Sequence, residues 1–185
     1  MTTVNYDVIV QELERSICNA ETLRHCFPQD KPMLLKELYT LGFAVSRQNG
    51  KTRWLIENLM RKPDAYLIVI NDTMREEIAN RLTHYLAVDN DNKAPLVPGE
   101  RIPIDADLGE AIRAGGPEFI DGVLARVQTS FQLKRAIDYD LRLIHDVERI
   151  YFDGRVQIFD RIRIAKYYTW LAKISNKHIT TWLID

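Results

Sequence analysis

The chain has 185 residues and a formal net charge of −1, with 46% apolar and 28% charged residues. This length suits one domain with a sizeable hydrophobic core and is short for two. The balanced charge provides no global basic field of the kind that indicates a nucleic-acid partner, so any such contact would need a local basic patch.

The sequence contains neither a membrane-spanning run nor a secretory start. No segment approaches the ~18 consecutive apolar residues that a transmembrane helix needs, and the N-terminus lacks a basic start followed by an apolar block. The two cysteines, Cys18 and Cys26, lie in one predicted helix at positions that do not face each other, and we expect free thiols. These features predict a protein of the reducing cytoplasm without a membrane partner.

In the first half of the chain, helices alternate with short apolar strands. Steps of three and four between apolar residues predict the helices, whereas the continuous apolar run Ala65–Ile70 predicts a strand that is covered on both faces, as in a parallel sheet. Thr73 and Glu76 form a capping-box pattern at the start of the next helix. The predicted elements are, in order, helices over 6–27 and 31–41, a strand over 43–45, a helix over 52–60, a strand over 65–70 and a helix over 73–86.

In the second half, a polar loop, a helical insertion and a hairpin are predicted. Residues 89–103 are polar and contain several prolines, which indicates an irregular loop. Asp153 and Gly154 lie between apolar pairs, a pattern that favours a β-hairpin over 149–159. The remaining predictions are a short helix over 106–113, mostly helical structure over 118–147, an amphipathic helix over 164–174 and an apolar strand over 179–185.

The alternation of helices and strands predicts one three-layer α/β domain with a mainly parallel sheet. Its predicted parts are N-terminal helices over 1–41, two strand–helix units over 42–88, a loop and helical insertion over 89–148, and a hairpin, helix and final strand over 149–185.

A phosphate-binding loop is indicated by Gly50, Lys51 and Thr52, between a predicted strand and a predicted helix. Backbone N–H groups and the dipole at a helix start stabilise an anion, and a glycine lets the backbone approach it with positive φ. We expect Lys51 to reach the β- and γ-phosphates and the Thr52 hydroxyl to bind Mg²⁺. The alternative interpretation is an ordinary helix start with an exposed lysine.

The loop follows Val45 and has the sequence Ser-Arg-Gln-Asn-Gly-Lys-Thr over Ser46–Thr52. This segment resembles the variant phosphate loop of the large terminase subunits, the DNA-packaging motors of tailed bacteriophages and herpesviruses. That family also replaces the first glycine of the common motif, where this chain has Val45, and often begins the loop with Ser-Arg-Gln. The resemblance implies a P-loop ATPase fold in which Lys51 and Arg47 act in catalysis, Arg47 as a charge stabiliser in cis, similar in role to an arginine finger. The residues that would bind ATP are Ser46, Arg47, Gln48, Asn49, Gly50, Lys51 and Thr52.

Elsewhere the resemblance follows the order of elements over roughly 28–185. It implies that Asp185, at the end of the last strand, is the Walker B aspartate that holds Mg²⁺ together with Thr52. Pro28 and Gln29 resemble a proline–glutamine element in which Gln29 contacts adenine. The resemblance also implies packaging partners, namely double-stranded DNA, other phage packaging proteins and further copies in a ring, within the host cytoplasm.

Turnover is left open by the sequence, because the family places a glutamate base after its Walker B aspartate and the sequence ends at Asp185. A second hypothesis is therefore a catalytically reduced P-loop fold that acts as a nucleotide-, DNA- or protein-binding module. A third is a small nucleotide kinase. Such an enzyme should carry a lid rich in arginine, whereas the loop 89–103 offers only Arg101.

Two further patterns concern other ligands. Basic residues followed by aromatic residues in the C-terminal third could form a nucleic-acid surface, although the favoured alternative is that the rings are core and the arginines are solvated. Acidic residues and His145 over 138–146 are interpreted as a solvated helix face rather than a metal cluster. The basic and aromatic residues are Arg155, Arg161, Arg163, Lys166, Tyr167, Tyr168 and Trp170.

Overall fold

The computed structural model describes residues 5–21, 30–44, 50–87, 106–144, 147–174 and 178–185. Its strands form one parallel sheet with helices on both faces, which confirms the predicted three-layer α/β class. The helices are α1 (Tyr6–Glu21), α2 (Lys31–Leu38), α3 (Lys51–Arg61), α4 (Asp72–Ala87), α5 (Ala106–Leu124), α6 (Ser130–Asp138), α7 (Arg155–Phe159) and α8 (Ile164–Ile174). The strands are β1 (Thr40–Phe43), β2 (Ala65–Val69), β3 (Val127–Thr129), β4 (Arg149–Asp153) and β5 (Thr180–Ile184).

The strand order in the sheet is β1-β5-β4-β2-β3, and every neighbouring pair is parallel. Because the strands are parallel, their carboxyl ends lie along one edge of the sheet. In the register of this edge, Phe43 of β1 and Asp153 of β4 are both level with Ile184 of β5. This is the edge at which open α/β sheets commonly bind ligands.

Successive residues of each strand pack on opposite faces of the sheet. Tyr151 of β4 and Trp182 of β5 pack against α1, α3, α4 and α5, on what we call the α3 face. Phe152 and Leu183 pack against α2, α6, α7 and α8, on the α8 face. This period-two alternation determines which face each strand-end side chain can reach.

Three aromatic residues of the basic stretch belong to the core of the α8 face. Tyr167, Tyr168 and Trp170 are all buried, and the Trp170 indole N–H donates to the Leu141 carbonyl at 2.9 Å. The hypothesis that these rings stack on bases is therefore wrong, and the alternative that they are core residues is confirmed.

The predicted hairpin over 149–159 is also wrong. Arg149–Asp153 is a strand that pairs in parallel with β2 and β5, and the residues after Gly154 form the short helix α7. Gly154 has φ of 90°, and a Cβ atom there would lie 2.7 Å from the Ile70 side chain. The Asp-Gly pair therefore ends a strand that is covered on both faces and starts a helix, rather than reversing the chain.

The segment 118–147 is less helical than predicted. It contains the edge strand Val127–Thr129, which pairs with β2. Thr129 then starts α6 through a reciprocal capping box with Gln132. The predicted break near residue 116 is present as a kink within α5, where Gly116 has φ of 55°.

Some element boundaries differ from the predicted ones, and some predicted features lie outside the described residues. The strand predicted over 43–45 is observed as Thr40–Phe43, after a helix that ends at Leu38. Outside the described residues lie the loop 89–103, Arg101, Cys26, Pro28, His145 and Asp146.

Candidate functional site

The candidate site is built on the start of α3, at the carboxyl edge of the sheet. Gly50 precedes the helix with φ of 76° and has no side chain with which to cap the backbone N–H groups of the first turn. Apart from the chain neighbours of Gly50, no described atom lies within 4 Å of the position that a Gly50 Cβ would occupy. The backbone donors of the first turn therefore receive no side-chain cap from residue 50, and Lys51 and Thr52 are the first two residues of the helix.

Lys51 is paired with a buried carboxylate at the end of β4. Its Nζ lies 2.8 Å from Oδ1 of Asp153. The Lys51 side chain is 23% exposed, whereas Asp153 is only 2% exposed. Asp153 reaches the lysine because it stands two positions after Tyr151, and the alternation along β4 turns both side chains to the α3 face.

The other carboxylate oxygen of Asp153 is unusual. Oδ2 is buried and has no hydrogen-bond partner among the described residues. Most buried polar atoms have a partner, because leaving one without costs on the order of 1–3 kcal/mol. Carboxylate oxygens are preferred ligands of Mg²⁺, so a divalent cation held directly or through water fits this unpaired atom.

Asp185 faces the opposite side of the sheet. Ile184 packs on the α3 face, so the next side chain is turned towards α7. There Oδ2 accepts from the Arg155 Nε at 2.7 Å, and Oδ1 accepts from the Val156 backbone N–H at 3.4 Å. Among the described contacts, the structure thus brings the loop lysine together with Asp153 and not with Asp185, the residue that the resemblance implies as the Mg²⁺ ligand.

The remaining residues predicted for the site fall into two groups. Thr52 lies in the first turn of α3, in line with its predicted position at the loop end. The roles of the others stay predictions, because these residues lie outside the described part of the chain: Gln29, Val45, Ser46, Arg47, Gln48 and Asn49.

Sequence reasoning missed Asp153, because an Asp-Gly pair between apolar residues favours a hairpin turn. The signal that identifies it is an apolar strand closed by an acid, Ile150–Asp153, which is the same pattern that led to Asp185. Both strands lie at the same sheet edge, and only the alternation of side chains separates the two acids.

The other acidic candidates form ordinary surface contacts. Asp138 interacts with Lys134, whose hydrogen bond lowers the pKa of this exposed carboxyl, and Asp140 lies 3.0 Å from Lys173. Within the described ranges, no group of three or more His, Cys, Asp or Glu side chains is arranged to hold a metal ion.

Of the helices that the structure describes, none has the length and apolar character required to cross a membrane. Comparison of the chain with protein-family models, with curated proteins and with solved structures finds no match.

Proposed function

We propose that this domain binds a magnesium–nucleoside triphosphate at the start of α3. The observation that carries the proposal is the contact between Lys51 and Asp153, at 2.8 Å. A lysine that follows a positive-φ glycine at a helix start is here held against a buried acid at the end of a parallel strand. Together, a cation, the N–H groups of a helix start that residue 50 does not cap, and a carboxylate with one oxygen unpaired among the described residues match the charges of a magnesium–phosphate group.

Each residue has a distinct role in this proposal. Lys51 and the first N–H groups of α3 bind phosphate oxygens, and the Thr52 hydroxyl and Asp153 hold Mg²⁺. Asp153 takes the part that the resemblance gives to Asp185, because Oδ2 of Asp153 is unpaired among the described residues, whereas both oxygens of Asp185 have partners. The metal would neutralise charge on the phosphates when bound.

The wider proposal follows from the loop resemblance alone. In this wider proposal the nucleotide is ATP, Arg47 stabilises charge on the transferred phosphate, and Gln29 contacts adenine. It extends to ATP hydrolysis coupled to packaging of double-stranded DNA by a ring of copies with other packaging proteins, in a host cytoplasm.

Calorimetric titration of the purified chain with MgATP tests the binding proposal. Lys51→Met keeps the length of the side chain and removes its charge, so we expect the affinity to fall at least about tenfold, the equivalent of about 1.4 kcal/mol. Lys36→Met, an exposed lysine on α2, is the matched control and should bind as the unmodified chain does. A folded Lys51→Met variant with unchanged affinity would contradict the proposal.

The second candidate function is a nucleotide-binding module without turnover. It is favoured by one observation, that Gly154 follows Asp153, so the position after this strand-end acid holds no glutamate base. A phosphate-release assay separates the two functions. Release that both Arg47→Ala and Lys51→Met eliminate would exclude the module without turnover, whereas tight MgATP binding with no release would support it.

A further inference from the structure

A second surface, distinct from the nucleotide site, lies on α6 and on the connection between α7 and α8. Two adjoining shallow depressions of about 380 and 280 Å³ open here, and both are lined by Lys134 and Asp138. We call this region the α6 surface. The charged residues that line it are Lys134, Arg135, Asp138, Arg161, Arg163 and Lys166.

The α6 surface carries five cationic side chains and one carboxylate, in a chain whose net charge is −1. Lys134 and Lys166 both interact with Asp138, the latter at 3.8 Å. Within the described part of the chain, Arg135 and Arg163 are exposed and have no ion-pair partner. The unbalanced positive charge therefore faces solvent and favours an anionic ligand.

Arg161 has a structural role at the margin of this surface. One of its guanidinium nitrogens, Nη1, donates to the Ile70 carbonyl and to the Ser130 hydroxyl, each at 3.2 Å. These bonds tie the α7–α8 connection to the end of β2 and to the start of α6. Arg161 therefore stabilises the fold at this surface and is not assigned to ligand binding.

Two large aromatic rings stand exposed beside these cations. Phe131 is 69% exposed and Tyr139 is 72% exposed, and both line the larger depression with Lys134 and Arg135. Their positions on α6 and its C-terminal cap place them about 12 Å apart along the helix, at about 1.5 Å per residue. Large aromatic side chains are more often buried, so two exposed rings that bracket a pair of cations indicate a flat aromatic ligand with negative charge.

We propose that the α6 surface binds single-stranded nucleic acid. Phe131 and Tyr139 stack on unpaired bases, and Lys134, Arg135 and Arg163 neutralise phosphates. Duplex nucleic acid keeps its bases stacked on one another, so it offers phosphates to the cations and no base faces to the two rings. An acidic peptide likewise supplies the charge without the bases. The combination of rings and cations therefore favours the single strand.

Fluorescence anisotropy with a labelled oligothymidylate of about 16 nucleotides tests this proposal. Phe131→Ala and Tyr139→Ala should each weaken binding about tenfold, because loss of one base–ring stack has an effect of this size. The double variant Arg135→Ala/Arg163→Ala should reduce the slope of log K against log salt by about 1.4, at about 0.7 for each phosphate contact that is lost. All four side chains are exposed, so these variants should fold, and far-ultraviolet circular dichroism checks this.

The matched control is Arg15→Ala/Lys36→Ala, which removes two exposed cations from α1 and α2. It should leave both the affinity and the salt slope unchanged. The proposal is overturned if the oligonucleotide does not bind at about 50 mM salt, or if folded Phe131→Ala and Tyr139→Ala bind as tightly as the unmodified chain. It is equally overturned if a duplex or polyglutamate of the same charge competes as well as the single strand.

Discussion

Lys51, the first residue of α3, and Asp153, the last residue of β4, form an ion pair with Nζ and Oδ1 2.8 Å apart. The two residues are far apart in sequence and meet only because the parallel sheet brings the end of β4 beside the start of α3. Removing the lysine would leave a buried carboxylate without its cation, which is costly in a protein interior. The pair is therefore expected to contribute to stability as well as to the proposed binding.

Lys51→Met should lower the free energy of unfolding of the nucleotide-free domain by about 2 kcal/mol, less than for a fully buried pair because Lys51 is partly exposed. The double variant Lys51→Met/Asp153→Asn should recover most of this loss, since no unpaired charge remains buried. Urea unfolding of the single and double variants measures both values. Equal stabilities of the unmodified chain and Lys51→Met would show that the pair does not stabilise the domain.

Gly154→Ala should be more destabilising than Gly50→Ala, although both glycines have positive φ. A Cβ at Gly154 meets the Ile70 side chain at 2.7 Å, whereas a Cβ at Gly50 meets no described residue within 4 Å beyond its chain neighbours. We expect the free energy of unfolding to fall by about 3 kcal/mol in Gly154→Ala and by about 1 kcal/mol in Gly50→Ala, because the clash at Gly154 adds to the backbone strain. Urea unfolding measures both values.

The control for these glycine variants is Gly122→Ala, within α5, where a Cβ meets no described residue outside its own helix within 4 Å and φ is not positive. Alanine forms helices more readily than glycine, so the free energy of unfolding of this variant should rise by up to about 1 kcal/mol. If Gly154→Ala and Gly50→Ala lower the free energy of unfolding equally, contact with Ile70 is not what makes a side chain at position 154 unfavourable.

The stability of the domain should fall at alkaline pH because of its buried tyrosines. Burial raises the pKa of Tyr168 to about 12, from an ordinary value of about 10. Above pH 10 the unfolded chain loses this proton while the folded chain retains it, so the contribution of Tyr168 is complete below about pH 10 and declines as the pH rises towards 12.

Tyr168→Phe isolates this effect, since phenylalanine does not titrate. At pH 8 the variant should be less stable than the unmodified chain by about 1 kcal/mol, through loss of the hydrogen bond between Tyr168 and Thr40. At pH 11 that difference should shrink by about 1 kcal/mol, as urea unfolding at the two pH values would show. A difference that does not change with pH would contradict the role assigned to Tyr168.

The sequence was sufficient to predict the fold class and several elements, and the reasons are visible in particular segments. Ala65–Val69 is almost wholly buried, so its continuous apolar run marked it as an interior parallel strand, and Thr180–Ile184 was found in the same way. Val127–Thr129 was missed, because a strand of three residues carries no periodicity against the helical pattern around it.

The candidate site was predicted only in part. Gly50, Lys51 and Thr52 are local in sequence, so their position at a helix start followed from the motif. The partner of Lys51 depends on strand order and on the face to which a strand-end side chain points, and both are properties of the assembled sheet. From the sequence alone, Asp153 and Asp185 are equivalent candidates for the partner of Lys51, since each lies at the end of an apolar strand.

A comparison of these two aspartates in calorimetric titrations with MgATP decides whether the nucleotide site is the one proposed. Asp153→Asn should weaken magnesium-dependent binding at least about tenfold, because Asp153 would hold the metal beside Lys51. Asp185→Asn should bind as the unmodified chain does, because its carboxylate is engaged with Arg155 on the other side of the sheet. Full binding by a folded Asp153→Asn variant, or loss of binding only in Asp185→Asn, would contradict the assignment.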